Sequence, residues 1–137
     1  MPHRLYDAVA ARAGHHCEYC LAPEAVFNIE FEVDHIVPKK IGGSDDLDNL
    51  AFACRNCNVR KGFAQQASDP DTRQFVTLFN PRTDVWDDHF RLDINTFKID
   101  GVTAQGRATT RRLGMNPKQA ASARTVWIAH SLFQSPD

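Results

Sequence analysis

The residues with the most chemical potential lie between Asp34 and Lys61, in the stretch DHIVPKKIGGSDDLDNLAFACRNCNVRK. An Asp-His pair opens it, Asn49 sits in its middle, and Asn58 and Lys61 close it. To hydrolyse a phosphodiester, a protein must activate a water, neutralise charge on the transferring phosphate and stabilise the leaving oxygen. His35 suits the first task, because an imidazole with an ordinary pKa near ~6.5 is largely neutral at cell pH and can take a proton. Asp34 and Asn58 offer hard oxygens to a divalent ion. Lys61, one helical turn beyond Asn58, shares its face and is placed to reach a phosphate. Taken singly, these residues have plainer readings: a strand-end hydrogen-bonded pair for Asp34 and His35, a turn for Asn49, a helix cap for Asn58. It is their occurrence together that points to catalysis.

Two pairs of thiols bracket this stretch, Cys17-x2-Cys20 before it and Cys54-x2-Cys57 across its end. Four soft ligands in two close pairs suit a closed tetrahedral Zn²⁺ site. Free buried cysteines, a redox dithiol and an iron–sulfur cluster are the rival readings. None of them explains why the polar cluster lies between the pairs. Four thiolates leave no open position on the ion, so this zinc would be structural, and its binding energy would be part of the folding energy.

With these residues in view, the front of the chain resembles the HNH (ββα-metal) endonucleases. The resemblance runs from about Ala11 to Gly62 and rests on the RAGHHCEYC knuckle, the DHIVPKKIGGSDDLDNL loop and the CRNCNVRKG close. It implies a metal-dependent DNA endonuclease in which His35 is the general base and one divalent ion is held by Asp34 and Asn58. It also implies that Asn49 fixes the loop that carries the base, and that cleavage leaves 5′-phosphate and 3′-hydroxyl ends. Where a His is common in the family's last position this chain has Asn58, an HNN-type site, and a neutral oxygen there favours Mg²⁺ or Mn²⁺. Two further readings stand beside this one: a zinc-stabilised nucleic-acid-binding module that does not cut, and an RNA nuclease.

The elements that must position these residues can be sketched from periodicity. Residues 3–13 carry Leu5, Ala8, Val9 and Ala13 at helical spacing, with Gly14 placed to end the helix. Alternation of Phe27, Ile29, Phe31 and Val33 with polar residues predicts a half-buried strand from Phe27. Strand parity would send Asp34 and His35 to opposite faces, so a bulge or turn is expected to bring them to one site. Pro38 and Gly42-Gly43 open a loop, LAFAC from Leu50 returns as a second strand, and residues 57–66 suit a helix. The expected fold class is therefore α+β: a ββα-metal (HNH) core clamped by a four-cysteine zinc site, with a C-terminal strand-and-helix extension. The boundary falls at the polar turn SDPDT, giving residues 1–66 as the nuclease core and 67–137 as an extension packed on it. In that extension, residues 90–99 read as strands pairing across Asn95, residues 106–113 as a short helix, and Asn116-Pro117 as the cap and first turn of a last helix reaching about Phe133. Trp86, Phe90, Phe97, Trp127 and Phe133 are expected to form a second small core, and His89 with Asp88 is a weak candidate for a second site.

The chain has 137 residues and a formal net charge of −1, which offers no global attraction for phosphates, so contact with DNA must come from local clusters. Lys39, Lys40, Arg55 and Arg60 lie near the proposed chemistry and are the candidate DNA-binding residues; Arg107, Arg111 and Arg112 form a second cluster. The near-neutral charge also points to a homo-oligomer, or to a larger defence or mobile-element complex that supplies DNA affinity. Neither a signal peptide nor an apolar run long enough to span a bilayer is visible, and reduced thiols fit metal binding, so a cytoplasmic protein without membrane contact is expected.

Overall fold

The computed structural model describes residues 2–134. The chain opens with helix α1 (Tyr6–Arg12) and a 3₁₀ turn (Glu24–Val26), then forms strand β1 (Glu32–His35), strand β2 (Leu50–Ala53) and helix α2 (Arg55–Lys61). The extension adds β3 (Gln66–Ser68), β4 (Phe75–Thr77), helix α3 (Trp86–His89), β5 (Phe90–Leu92), β6 (Ile99–Gly101), α4 (Ala104–Arg112) and α5 (Ala120–Ala129). The strands pair as three antiparallel two-stranded ribbons, β1 with β2, β3 with β4 and β5 with β6. This is the expected α+β class, with a ββα unit formed by β1, β2 and α2.

The first strand begins at Glu32, later than the alternation from Phe27 predicts. The reason is a shortage of partners. β2 has only four residues before Cys54 turns the chain into α2, and its other edge is occupied: the Glu18 amide donates to the Phe52 carbonyl at 2.8 Å, and the Phe52 amide donates to Glu18 Oε2 at 2.8 Å. The backbone ahead of β1 is held by side chains instead, the Phe31 amide donating to Glu24 Oε2 at 2.9 Å and the Tyr6 hydroxyl donating to the Phe31 carbonyl at 3.0 Å. Phe27 and Ile29 consequently stay 41% and 53% exposed, so the period-two pattern there does not mark a buried face.

Between β1 and β2 the chain makes a compact loop. Gly42 adopts φ +99°, and a Cβ on Gly43 would lie 1.7 Å from the Val37 carbonyl oxygen, so only the glycine pair lets the loop fold this tightly against residues 37 and 38. Helix α2 starts at Arg55, where the Cys54 sulfur accepts from the Cys57 amide at 3.4 Å, and stops at Gly62 with φ +55°. It is shorter than the expected 57–66 because the left-handed glycine turns the chain into β3.

A single apolar cluster runs through both parts of the chain. Val9, Tyr19, Leu50 and Phe52 at the front join Phe79, Trp86, Phe90, Ile99, Leu113 and Met115 from the extension. The Trp86 indole donates to the Tyr19 carbonyl at 2.8 Å, and the Tyr19 and Phe79 rings meet edge to face at 6.5 Å. Instead of making a second small core docked on the first, as expected of the extension's aromatics, Trp86 and Phe90 merge into the one shared cluster, and Trp127 packs beside Phe27 at 6.1 Å. The last helix also departs from expectation. It starts at Ala120 with Gln119 as cap, because Asn116 is taken by β6, accepting from the Ile99 amide and donating to the Ile99 carbonyl. Arg124 then reaches back from α5 to Asn116 Oδ1 at 2.7 Å and to the Phe97 carbonyl at 3.1 Å.

Candidate metal and catalytic centre

The four cysteine sulfurs converge, all lying within 4.8 Å of one another and buried. Cys20 and Cys54, from opposite knuckles, are 3.7 Å apart, which matches the ~3.8 Å edge of a tetrahedron with Zn–S bonds near ~2.3 Å and far exceeds a disulfide bond. In each knuckle the second cysteine's amide donates to the first sulfur, at 3.5 Å for Cys20 to Cys17 and 3.4 Å for Cys57 to Cys54, the pattern that stabilises thiolates. Charge balance points the same way. Arg124 is 2% exposed, and its Nε is the one buried side-chain nitrogen or oxygen among the described residues without a hydrogen-bond partner. Burial lowers the pKa of its guanidinium, and Cys20 and Cys57 oppose that effect where they are ionised, as they would be on a bound cation. The donor set therefore fits a Zn²⁺ held by four thiolates.

The zinc knuckle is wired to the first catalytic candidate. Tyr19, within Cys17-Glu18-Tyr19-Cys20, is fully buried and donates its hydroxyl to Asp34 Oδ2 at 2.7 Å. From the other side, the ammonium of Lys61 on α2 lies 3.2 Å from Asp34 Oδ1 and 3.1 Å from Oδ2. Asp34 is 4% exposed; burial raises its pKa, and Lys61 and the Tyr19 hydrogen bond pull in the opposite direction. Lys61 itself is 2% exposed and also donates to the carbonyls of His35 and Ile36 at 3.4 and 3.3 Å. This corrects the expectation that Lys61 meets phosphate. Its ammonium is spent inside the protein, as the counter-charge of Asp34 and the tie between α2 and β1.

β1 runs through His35 without a bulge, in unbroken register with Asp34 opposite Ala51 and His35 opposite Leu50. Parity therefore holds, and no turn brings the two side chains to one face. Asp34 points inward to Tyr19 and Lys61, while His35 Nε2 pairs with Asp45 Oδ1 at 2.8 Å. Because the strand ends there, Asp34 and His35 nevertheless border one cleft of about 450 Å³, together with Asn58, Lys39 and Lys40. The Asn58 amide nitrogen donates to Glu32 Oε1 at 2.7 Å. A carboxylate only accepts, so this contact fixes the amide's orientation and leaves Oδ1 as the oxygen available to a ligand.

Asn49 closes the loop between the strands. Its Oδ1 accepts from the Val37 amide at 2.9 Å, and its Nδ2 donates to the carbonyls of Val37 and Ser44 at 3.0 and 2.7 Å. Of the basic residues singled out, Lys39 and Lys40 border the cleft, and Lys40 also lies 4.6 Å from the centre of the Phe63 ring. Arg55 is paired with Glu32 at 2.9 Å, and Arg60 lies on α2 with its carbonyl accepting from Arg112 at 3.1 Å. The second basic cluster is largely committed. Arg107 forms a two-pronged pair with the buried Asp69, both contacts at 2.9 Å, and Arg112 is bound to carbonyls of α2. His89 donates to or accepts from Thr103 Oγ1 at 2.7 Å and packs on Phe79, and neither it nor Asp88 belongs to a potential metal cluster among the described residues.

A ββα unit whose strands carry Asp34 and His35, bracketed by paired cysteines, agrees with what a family comparison finds: residues 17–63 match the model of the HNH endonuclease family. Residues 17–63 are an HNH endonuclease domain. No curated protein and no solved structure matches the chain significantly. The HNH match supports a nuclease and implies a nucleic-acid substrate and a divalent metal, while no helix among the described residues is long and apolar enough to cross a membrane. Four neighbours of the site have no distinct signal in the sequence. Tyr19 is a middle residue of a knuckle, Glu32 one acid of an alternating stretch, Asp45 one of two adjacent aspartates, and His3 lies outside the motif altogether.

Proposed function

We propose that the protein is a metal-dependent DNA endonuclease in which His35 removes the proton from the attacking water while Asp34 and Asn58 hold one divalent ion. The observation that carries this reading is the single cleft bordered by Asp34, His35 and Asn58 in an HNH domain. Asp34 offers a carboxylate that Lys61 and Tyr19 orient, and Asn58 offers its amide oxygen beside it. Hard oxygen donors of this kind suit Mg²⁺ or Mn²⁺. An ion bound there would polarise the scissile phosphate and stabilise the leaving 3′ oxygen. The water oxygen bonds to phosphorus, the P–O3′ bond breaks, the attacking water's proton passes to His35, and the departing O3′ takes a proton from a solvent water, leaving 5′-phosphate and 3′-hydroxyl ends. Asn49 holds the loop that flanks His35, and Lys39 and Lys40 at the rim, with Arg55 and Arg60 on α2, would contact the DNA backbone. The zinc clamps the two ends of this segment and takes no part in the chemistry.

The products test this reading. A fluorescently labelled duplex is incubated with zinc-loaded protein and Mg²⁺ or Mn²⁺, and the fragments are offered to DNA ligase. Fragments that ligase rejoins directly carry the expected termini; fragments that need prior removal of a 3′-phosphate contradict the mechanism, and cleavage confined to the equivalent RNA contradicts the substrate.

A further inference from the structure

A second histidine faces the proposed base across one carboxylate. His3 Nε2 lies 2.5 Å from Asp45 Oδ1, His35 Nε2 lies 2.8 Å from the same oxygen, and the two rings stand edge to face at 5.6 Å. His3 is part-buried and comes from the segment before α1, outside the matched residues 17–63. Three ligand-type groups so close could suggest a metal, but the geometry and the tautomers speak against it. The 2.5 Å between His3 Nε2 and Asp45 Oδ1 is a short hydrogen-bond spacing, tighter than the roughly 2.8–3.3 Å that separates two ligands on one ion with bonds near ~2.0 Å. The Leu5 amide also donates to His3 Nδ1 at 3.0 Å. Nδ1 therefore carries the lone pair, and in a neutral ring the proton sits on Nε2, where it is given to Asp45.

The same logic extends to His35. Asp45 Oδ1 can only accept, so the His35 nitrogen beside it is N–H, and a carboxylate oxygen with two lone pairs receives both donors. The geometry points to Asp45 as a positioning residue that fixes His35 as its Nε2–H tautomer, leaving Nδ1 as the basic nitrogen, with His3 holding the Asp45 carboxylate in place. Arg4 adds a cation 3.6 Å from Asp45 Oδ2. The carboxylate is thus oriented by one histidine before the other uses it. When His35 takes a proton at Nδ1, the positive charge that appears on its ring is met by Asp45 at 2.8 Å. A carboxylate that sets tautomer and orientation in this way acts on turnover rather than on substrate affinity.

This inference rests on His35 being the base, and the test separates the two claims. Zinc-loaded full-length protein, tagged only at its C-terminus, is compared with His35→Ala, Asp45→Ala, Asp45→Asn and His3→Ala in Mg²⁺-dependent cleavage of a labelled duplex, with zinc content and circular dichroism confirming the fold. Asp45→Ala is expected to lower kcat by about 100-fold with KM changed by less than about 2-fold, below the loss seen for a fully buried triad carboxylate because the Asp45 side chain is 33% exposed. His3→Ala is expected to lose about 10-fold, and Asp45→Asn, which keeps the acceptor and loses the charge, falls between them. Long-range ¹H–¹⁵N spectra of the neutral ring supply a readout independent of turnover: wild-type His35 should be protonated on Nε2, and Asp45→Ala should show a mixture of tautomers. An inactive His35→Ala with wild-type kcat in Asp45→Ala and His3→Ala overturns the positioning role alone, as does a wild-type His35 protonated on Nδ1. Full activity in His35→Ala overturns the base itself.

Discussion

Replacing Lys61 with Met distinguishes the buried role the structure gives this lysine from the phosphate contact that its sequence position suggests. Met keeps much of the side chain's length and removes the ammonium, leaving Asp34 at 4% exposure without its counter-charge. With Nζ 3.1 Å from Oδ2, the gross attraction at an effective dielectric near ~20 is roughly 5 kcal/mol. Part of that is returned because the ammonium no longer has to be desolvated, and buried pairs broken on one side cost about 3–5 kcal/mol. A loss near ~3 kcal/mol is the expected net effect, a large share of the ~5–15 kcal/mol that holds a domain folded. Urea unfolding of zinc-saturated protein, followed by the fluorescence of Trp86 and Trp127, should show the midpoint falling by about 2 M. Removing the partner's charge as well, in Asp34→Asn/Lys61→Met, should recover most of the loss, because the stranded carboxylate is then gone. A Lys61→Met protein within about 0.5 kcal/mol of wild type, changed only in its KM for DNA, would refute the buried pair and restore the phosphate contact.

Other outcomes follow from the same structure. Tyr19→Phe removes the hydrogen bond that ties the zinc knuckle to Asp34 and should cost about 1 kcal/mol of stability, read from the same urea curves, together with a fall in Mg²⁺-dependent turnover. Cys54→Ser, or removal of zinc by a chelator, should abolish the cooperative unfolding transition rather than merely slow cleavage, since the metal closes both knuckles; a folded, zinc-free Cys54→Ser protein would contradict this. The buried Asp69 has its pKa held down chiefly by its hydrogen bonds to Arg107. A carboxylate depressed in the folded state stabilises fully above its ordinary pKa and loses that contribution as pH falls. Asp69→Asn should therefore lower stability at pH 7 and flatten its decline below about pH 4, measured by thermal melts across that range.

What is legible in the sequence and what is hidden there have distinct physical origins. The zinc ligands can be read because two Cys-x2-Cys pairs demand one geometry, and the ββα order because Gly42-Gly43, LAFAC and the run after Cys57 leave few alternatives. The start of β1 escapes because alternation reports a face that could be buried, and only the short β2 decides how much of it finds a partner. Lys61 is ambiguous because its long stem serves an outward phosphate contact and an inward pair equally well. Its direction is set by the depth of Asp34, which depends on Tyr19 and the core behind it. Asp45 and His3 are separated by most of the front of the chain, and nothing short of the folded loop distinguishes Asp45 from Asp46. In the extension, the pairing of β5 with β6 across Asn95 follows from local turn chemistry, whereas its docking through Trp86 onto Tyr19 is a long-range contact with no local signature.

A cleft of Asp34, His35 and Asn58 that cuts DNA with His35 as base should act on supercoiled plasmid. Wild-type protein and His35→Ala are incubated with plasmid, with and without Mg²⁺, and the relaxed and linear forms are quantified. The wild type should nick plasmid only with the metal present, and His35→Ala should lose at least about 100-fold of that activity. Plasmid left intact by the wild type under every metal condition would contradict the nuclease, and nicking that survives His35→Ala would contradict the assignment of the base.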